Sequence, residues 1–347
     1  MNKRQAIVNL IERRGNGYTP HHFDLTQRIV DRLASHYHVG PDQVEDTIGN
    51  HFLYVNFTAP GGNAKGFSNK TNKSGVTEDE FGIIWDSERL YDIGDWAMVD
   101  HPIHDLSLSG YAFPDGTGEG RYLDAATQME AHPGRFNVLL MTGLLDTCWH
   151  LTGLEDFLAA MLEEEAIAHR LLDHAVEYIV NVIRGAPPQL DAVRFLEDWG
   201  TQNGLLISRK LWKKYLEPRL RVIHEAVRKK GLYVMHHSCG DITELFPDII
   251  ALGVDIIDAI QPEVMDIRFL KKEYGKDIVF FGGIGTQSTL PFGSVDDVIR
   301  EAEETIHALG AGGGYVAGPA GAISTDTPIE NVASLAAFCM KLKERGQ

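Results

Sequence analysis

From about residue 130 to the C-terminus, short apolar runs alternate with long helical patterns, and few architectures accommodate that alternation. Strand-like runs fall at 138–141, 192–196, 232–235, 255–260, 278–281 and 314–317, each apolar enough to be buried on both faces. Stretches at 154–182, 208–229, 242–252, 295–309 and 329–342 carry apolar residues at helical spacing, with Ser208 and Ser294 placed as N-caps. Such repeated βα units build a parallel sheet. Two weaker runs, near 18–23 and 52–57, complete a set of eight, which predicts an α/β chain closed as a (β/α)8 TIM barrel. The 347 residues are then expected to form a single domain, 1–347. Residues 58–120, rich in Gly, Asn, Asp and Ser, read as an irregular insertion over the barrel mouth, with a small hairpin around 81–85.

Charge narrows the partners. The chain carries 49 acidic against 32 basic residues, a formal net charge of −17. That balance argues against nucleic acid and anionic membrane surfaces, which require clustered Lys and Arg, and favours small molecules or proteins. The three cysteines, Cys148, Cys239 and Cys339, are too scattered for a disulfide framework, so a reducing, cytoplasmic setting is expected. The first ten residues form a short amphipathic pattern without the long apolar core of a signal peptide or membrane span.

In a barrel of this kind the reactive groups sit at the carboxyl ends of the strands. Here those ends are polar or glycine-rich: Glu197-Asp198-Trp199-Gly200-Thr201-Gln202, His236-His237-Ser238-Cys239-Gly240-Asp241, Gln261-Pro262-Glu263, Gly282-Gly283-Ile284-Gly285-Thr286-Gln287 and Gly318-Pro319-Ala320-Gly321. His237 and Cys239, two residues apart on an extended segment, share one face and offer a nitrogen and a thiolate to an ion such as zinc. The plain alternative is a buried strand cysteine beside an unrelated histidine. Adjacent strand-end carboxylates point opposite ways, so only one of Glu197 and Asp198 can face the mouth. Asp198, which precedes the glycine turn, is the candidate catalytic residue with His237 and Cys239. Gln202, Gln261 and Gln287 are candidate ligand-binding amides. The glycines at 310–314 precede a strand instead of opening a helix and do not form a phosphate cradle.

Five motifs in order resemble the uroporphyrinogen decarboxylase superfamily, and within it the branch of corrinoid-dependent methyltransferases. They are Asp79-Glu80-Phe81-Gly82-Ile83-Ile84-Trp85, the run from Asp198 to Ser208, His237-Ser238-Cys239-Gly240-Asp241-Ile242, Gly282 to Gln287, and Gly313-Gly314-Tyr315 followed by Pro328 and Glu330-Asn331. The resemblance covers roughly Asp79 to Leu342. It implies a (β/α)8 barrel, zinc held by His237 and Cys239, Trp85 among the substrate-binding residues, and methyl transfer between a small ether, amine or thiol and a corrinoid. The chain lacks an Asp-x-His-x-x-Gly corrinoid-binding segment, so the cobalamin is expected on a partner, a corrinoid-binding protein, and self-association into a homo-oligomer is left open.

The resemblance also implies a distal cysteine after Val316-Ala317, where this chain reads Gly318-Pro319-Ala320-Gly321. Cys339 lies on an apolar helix face and reads as core. His236, Asp198, Asp241 and Glu263 stand as candidates for the third ligand, His236 being disfavoured because it alternates away from His237. The sister activity, a decarboxylase, is associated with a Met-Arg-Gln-Ala-Gly-Arg pattern that the stretch from Glu12 to Phe23 does not contain. A non-catalytic barrel that binds a small ligand is the reading from another class.

Overall fold

The computed structural model describes residues 1–15, 17–58, 68–71, 75–86, 97–106 and 108–345. Its strands in chain order are β1 (Phe52–Val55), β2 (Ser68–Thr71), β3 (Val76–Asp79), β4 (Ile84–Asp86), β5 (Met98–Asp100), β6 (Phe136–Thr142), β7 (Ala192–Leu196), β8 (Gly200–Thr201), β9 (Gly204–Leu205), β10 (Tyr233–His237), β11 (Ile256–Ile260), β12 (Val279–Ile284) and β13 (Tyr315–Pro319). A curled parallel sheet of seven strands runs β1-β6-β7-β10-β11-β12-β13, with helices between successive members from β6 onward. The six strongest sequence signals all became strands of this sheet.

The weak run near 52–57 is β1, whereas the one near 18–23 forms isolated parallel bridges from His21 to Ala317 and from Leu25 to Ile323. Hydrogen bonds tie the same segment to the start of β1, from His51 N to His21 O at 3.2 Å and between Phe23 and the Asn50 side chain. It therefore lies between the two outermost strands. Here polar residues, among them His21, His22 and Asn50, bond through side chains as well as backbone, and a regular ladder does not form.

The helices break where the backbone requires it. The pattern at 208–229 divides into Arg209–Tyr215 and Glu217–Lys229, because Pro218 lacks an N–H and is accommodated only in a first turn. Ser208 accepts from Leu211 N, and Ser294 forms a reciprocal cap with Asp297. Cys148 and Cys339 are both fully buried among apolar neighbours.

Within residues 58–120, which the composition led us to read as irregular, β2 to β5 form a four-stranded antiparallel sheet. The turn of the β3–β4 hairpin falls at residues 80–83, and Asp79 organises it by accepting from Phe81 N and Ile83 N. Arg121, paired with both oxygens of Glu80, fastens the hairpin to the following segment. Period-2 alternation hid this sheet because its strands are three or four residues long.

Alternation along the parallel strands sorts side chains to two sides. Phe52, Val138, Ala192, Met235, Ile256, Val279, Phe281 and Val316 form one cluster on the concave side, closed below by Ile7 and Leu10 of helix Lys3–Ile11. By the same parity Tyr54, Arg194, His237 and Asp258 point into the concavity one step nearer the strand ends. His236 and Glu197 point outward to the helices.

Candidate metal centre at the strand ends

His237 is the last residue of β10, and Cys239 follows in a turn that the tail of β7 grips at several points. Cys239 N donates to Asp198 Oδ1 at 2.7 Å, Trp199 N to Ser238 Oγ at 2.9 Å, and Asp241 N to Thr201 O at 2.9 Å. Two glycines make this approach possible. A Cβ at Gly200 would sit 2.7 Å from Cys239 O, and one at Gly240, whose φ is +79°, would sit 2.5 Å from Gly200 C and Thr201 N. Gly240→Ala is therefore expected to destabilise the protein by more than about 1 kcal/mol and to loosen the pairing of the two tails. Chemical denaturation checks the first effect; a variant as stable as the parent contradicts it.

These contacts bring His237, Cys239 and Asp198 together. His237 Nε2 lies 3.4 Å from Cys239 Sγ and 3.8 Å from Asp198 Oδ1, and one donor atom from each residue lies within 4.8 Å of the others. Donors about 2.0–2.3 Å from one tetrahedral ion stand roughly 3.3–3.8 Å apart. The two separations from His237 Nε2 fall in that range, so this nitrogen, sulfur and oxygen set could hold such an ion. It is the only grouping of this kind among the described residues. Burial lowers the basicity of His237, but the facing Cys239 and Asp258 outweigh it and hold the imidazole well above its usual range.

The remaining third-ligand candidates point elsewhere. Asp241 Oδ1 caps Thr243 N, Glu263 Oε1 accepts from Gln287 N and Ser288 Oγ, and His236 is wholly buried against His224. Near the end of β13 there is no room for a side chain at Gly318, where a Cβ would stand 2.1 Å from His22 O.

The amides and Trp85 are more dispersed. Gln261 is buried and its Oε1 accepts from Gly240 N, so its oxygen supports the turn that carries Cys239. Gln202 and Gln287 are exposed. Trp85 is buried in the β3–β4 hairpin, donates through Nε1 to Asp79 Oδ2 and meets His150 edge to face.

Two groupings around the centre were not legible in the sequence as groupings. One is the cluster of Arg194, Asp258, Asp24 and Tyr54 inside the concavity. Arg194 donates to Asp24 Oδ2 at 2.7 Å and Tyr54 Oη at 2.6 Å, and pairs closely with Asp258. Burial alone would raise the Asp24 carboxyl, yet Arg194, His22 and Tyr54 more than reverse this and hold it far below the ordinary carboxylate range. An arginine in the apolar run 192–196 and an aspartate in 255–260 were the available signal, because charges in doubly buried strands require partners.

The other group is Glu197 with His236 and His224, on the outer side of the sheet. Glu197 Oε2 accepts from Leu145 N at 2.7 Å, and burial pushes the carboxyl up to about 7. The ordinary value is roughly 4.3, so between about pH 4 and 7 the folded state holds a proton that the unfolded chain has released. Protonated Glu197 gives the fold its full stability at low pH, and that share is lost as pH rises through 7. Against Glu197→Gln, the wild type should lose on the order of 3 kcal/mol between pH 4 and pH 8. Urea midpoints of the two proteins at both pH values measure it; a constant difference contradicts the assignment.

A parallel α/β sheet with a ligand-rich rim at its strand ends is the architecture of a large class of enzymes. A sequence model of the uroporphyrinogen decarboxylase (URO-D) family matches residues 140–342, more than half the chain, and the protein belongs to that family. Among solved structures, a methyltransferase from Methanosarcina mazei superposes with a TM-score of 0.70 at 16% identity, covering 99% of each chain. At that identity the likeness speaks for the fold. The catalytic domain of an endo-beta-1,4-mannanase from Bacillus sp. JAMB-750 follows at a TM-score of 0.34 and 12% identity, covering 94% of this chain and 92% of its own. No curated protein matches. No helix among the described residues is long and apolar enough to cross a membrane.

Proposed function

We propose that the protein is a zinc-assisted methyltransferase that exchanges a methyl group between a small ether, amine or thiol and the cobalt of a corrinoid carried by a separate protein. The observation that carries this reading is the convergence of His237 Nε2, Cys239 Sγ and an Asp198 carboxylate oxygen at the strand ends of a uroporphyrinogen decarboxylase-family fold. Three protein donors leave a fourth position for substrate, the arrangement of catalytic zinc sites. The segment 21–25, bridged to β13 and bonded to the start of β1, would serve as the eighth stave of a closed barrel spanning the whole chain as one domain.

Zinc there would supply Lewis acidity, lowering the pKa of a bound thiol or stabilising a departing alkoxide. His237 and Cys239 hold the ion. Asp198 completes the set and, being half exposed, can instead exchange a proton with substrate at its free oxygen. Gln261 keeps the Gly240 turn in place, and the exposed Gln202 and Gln287 are proposed to meet the polar part of the substrate. With a thiol acceptor, sulfur takes the methyl group as the cobalt–carbon bond breaks. The bonding pair stays with cobalt and the thiol proton leaves to solvent. Trp85 and the hairpin it anchors are proposed to shape the approach of substrate.

The test is to incubate the zinc-loaded protein with free methylcobalamin and a panel of small thiols, and to run the reverse transfer from methyl ethers and methylamines to reduced cobalamin. A methylated thiol, or methylcobalamin formed in the reverse direction, is the expected product. Failure across the panel, with zinc bound, overturns the methyl-transfer reading.

A further inference from the structure

A histidine binds a metal through a nitrogen that carries no proton, so something must place the imidazole proton on the other one. At His237 the hydrogen-bond inventory of the buried cluster decides which. Arg194 Nη2 carries two N–H groups. Both have carboxylate acceptors: Asp24 Oδ2 at 2.7 Å, and Asp258 Oδ2 in a shorter contact. Arg194 Nη1 donates to Tyr54 Oη at 2.6 Å, and Nε faces Asp258 Oδ1 at 3.4 Å. Arg194 Nη2 also lies within hydrogen-bond reach of His237 Nδ1, at 3.3 Å, but both its N–H groups already have carboxylate acceptors, so an accepting Nδ1 would only share one of them. The other neighbour of Nδ1 is Asp258 Oδ2, at 3.4 Å, which only accepts.

We infer that Asp258 is a positioning residue for the metal centre: it takes the Nδ1–H of His237, while Arg194, braced by Asp24 and Tyr54, fixes Asp258. Nε2, on the side of Cys239 and Asp198, is then the nitrogen that would give up its proton to a metal. Asp258 and Arg194 have almost no solvent access, with side-chain exposures of 3% each, so water does not compete for these bonds. Strand register supports the same placement. His237 pairs with Asp258 across β10 and β11, and Met235 pairs with Arg194 across β10 and β7, so the three side chains rise from adjacent strands on one face. The inference rests on the proposed metal centre, which it deepens.

The test labels histidine with ¹⁵N and uses long-range ¹H–¹⁵N correlation, assigned with His237→Gln, to locate the ring proton in metal-free and zinc-loaded wild type. A proton on Nδ1 in both states is expected. A neutral His237 with its proton on Nε2 overturns the inference. Zinc affinity is then compared in Asp258→Asn by competition with a chromophoric chelator. The isosteric amide should weaken binding about 10–100-fold, with thermal unfolding confirming that the variant is folded; undiminished affinity overturns the inference. Since Asn could unsettle Arg194, Asp258→Glu provides a second comparison, expected to recover part of the lost affinity and to fail to do so if Asp258 matters only for packing. Wild type with the proton on Nδ1 but no zinc uptake supports the positioning role and ends the metal reading instead.

Discussion

Replacing Cys239 by Ser is expected to strip the protein of zinc at neutral pH. Sulfur is the soft, polarisable member of the proposed three-donor set, and a serine hydroxyl stays protonated and binds zinc poorly under the same conditions. Loss of an outer partner of a ligand already costs about 10–100-fold in affinity, so loss of the ligand itself should exceed that upper figure. His237 and Asp198 would remain, and neither the 198–201 nor the 238–241 backbone contacts pass through the sulfur, so the fold should survive. Metal content by elemental analysis after preparation under reducing conditions provides the measurement. Equal zinc in variant and wild type would mean that the ion, if bound, sits elsewhere.

Arg194→Met should produce the largest loss of stability, about 3–5 kcal/mol at pH 7, because it leaves two carboxylates, Asp24 and Asp258, facing one another inside the concavity without a cation. The sign of the pH dependence follows from Asp24. Its folded-state value lies far below the ordinary one, so its contribution is present above about pH 4 and fades as acid protonates it. Without Arg194, burial raises the Asp24 carboxyl, and mild acid relieves the repulsion. The deficit of the variant should therefore shrink between pH 7 and pH 4.5. Urea unfolding at the two pH values measures it, and a deficit below about 1 kcal/mol, or one that does not change with pH, contradicts this account of the cluster.

The parallel sheet was legible because strands buried on both faces need apolar runs, and those at 138–141 and 278–281 are unbroken. His237 and Cys239 were legible because two-residue spacing on an extended chain puts side chains on one face. The same alternation separated Asp198 from Glu197 and His237 from His236. Asp198 as partner to the pair was harder to read, since it depends on Gly200 and Gly240 letting two loops pass within van der Waals contact, a property of two distant segments together. The antiparallel sheet within 68–100 depends on cross-strand contacts that strands of three or four residues barely record. Arg194, Asp258, Asp24 and Tyr54 come from four separate parts of the chain, and only the curl of the sheet shows that their charges meet.

X-ray absorption at the zinc edge interrogates the ligand set itself. The spectrum should fit one sulfur at about 2.3 Å, with nitrogen and oxygen neighbours at about 2.0–2.2 Å. A shell of two or more sulfurs, or one with no sulfur, would contradict a centre built from His237, Cys239 and Asp198.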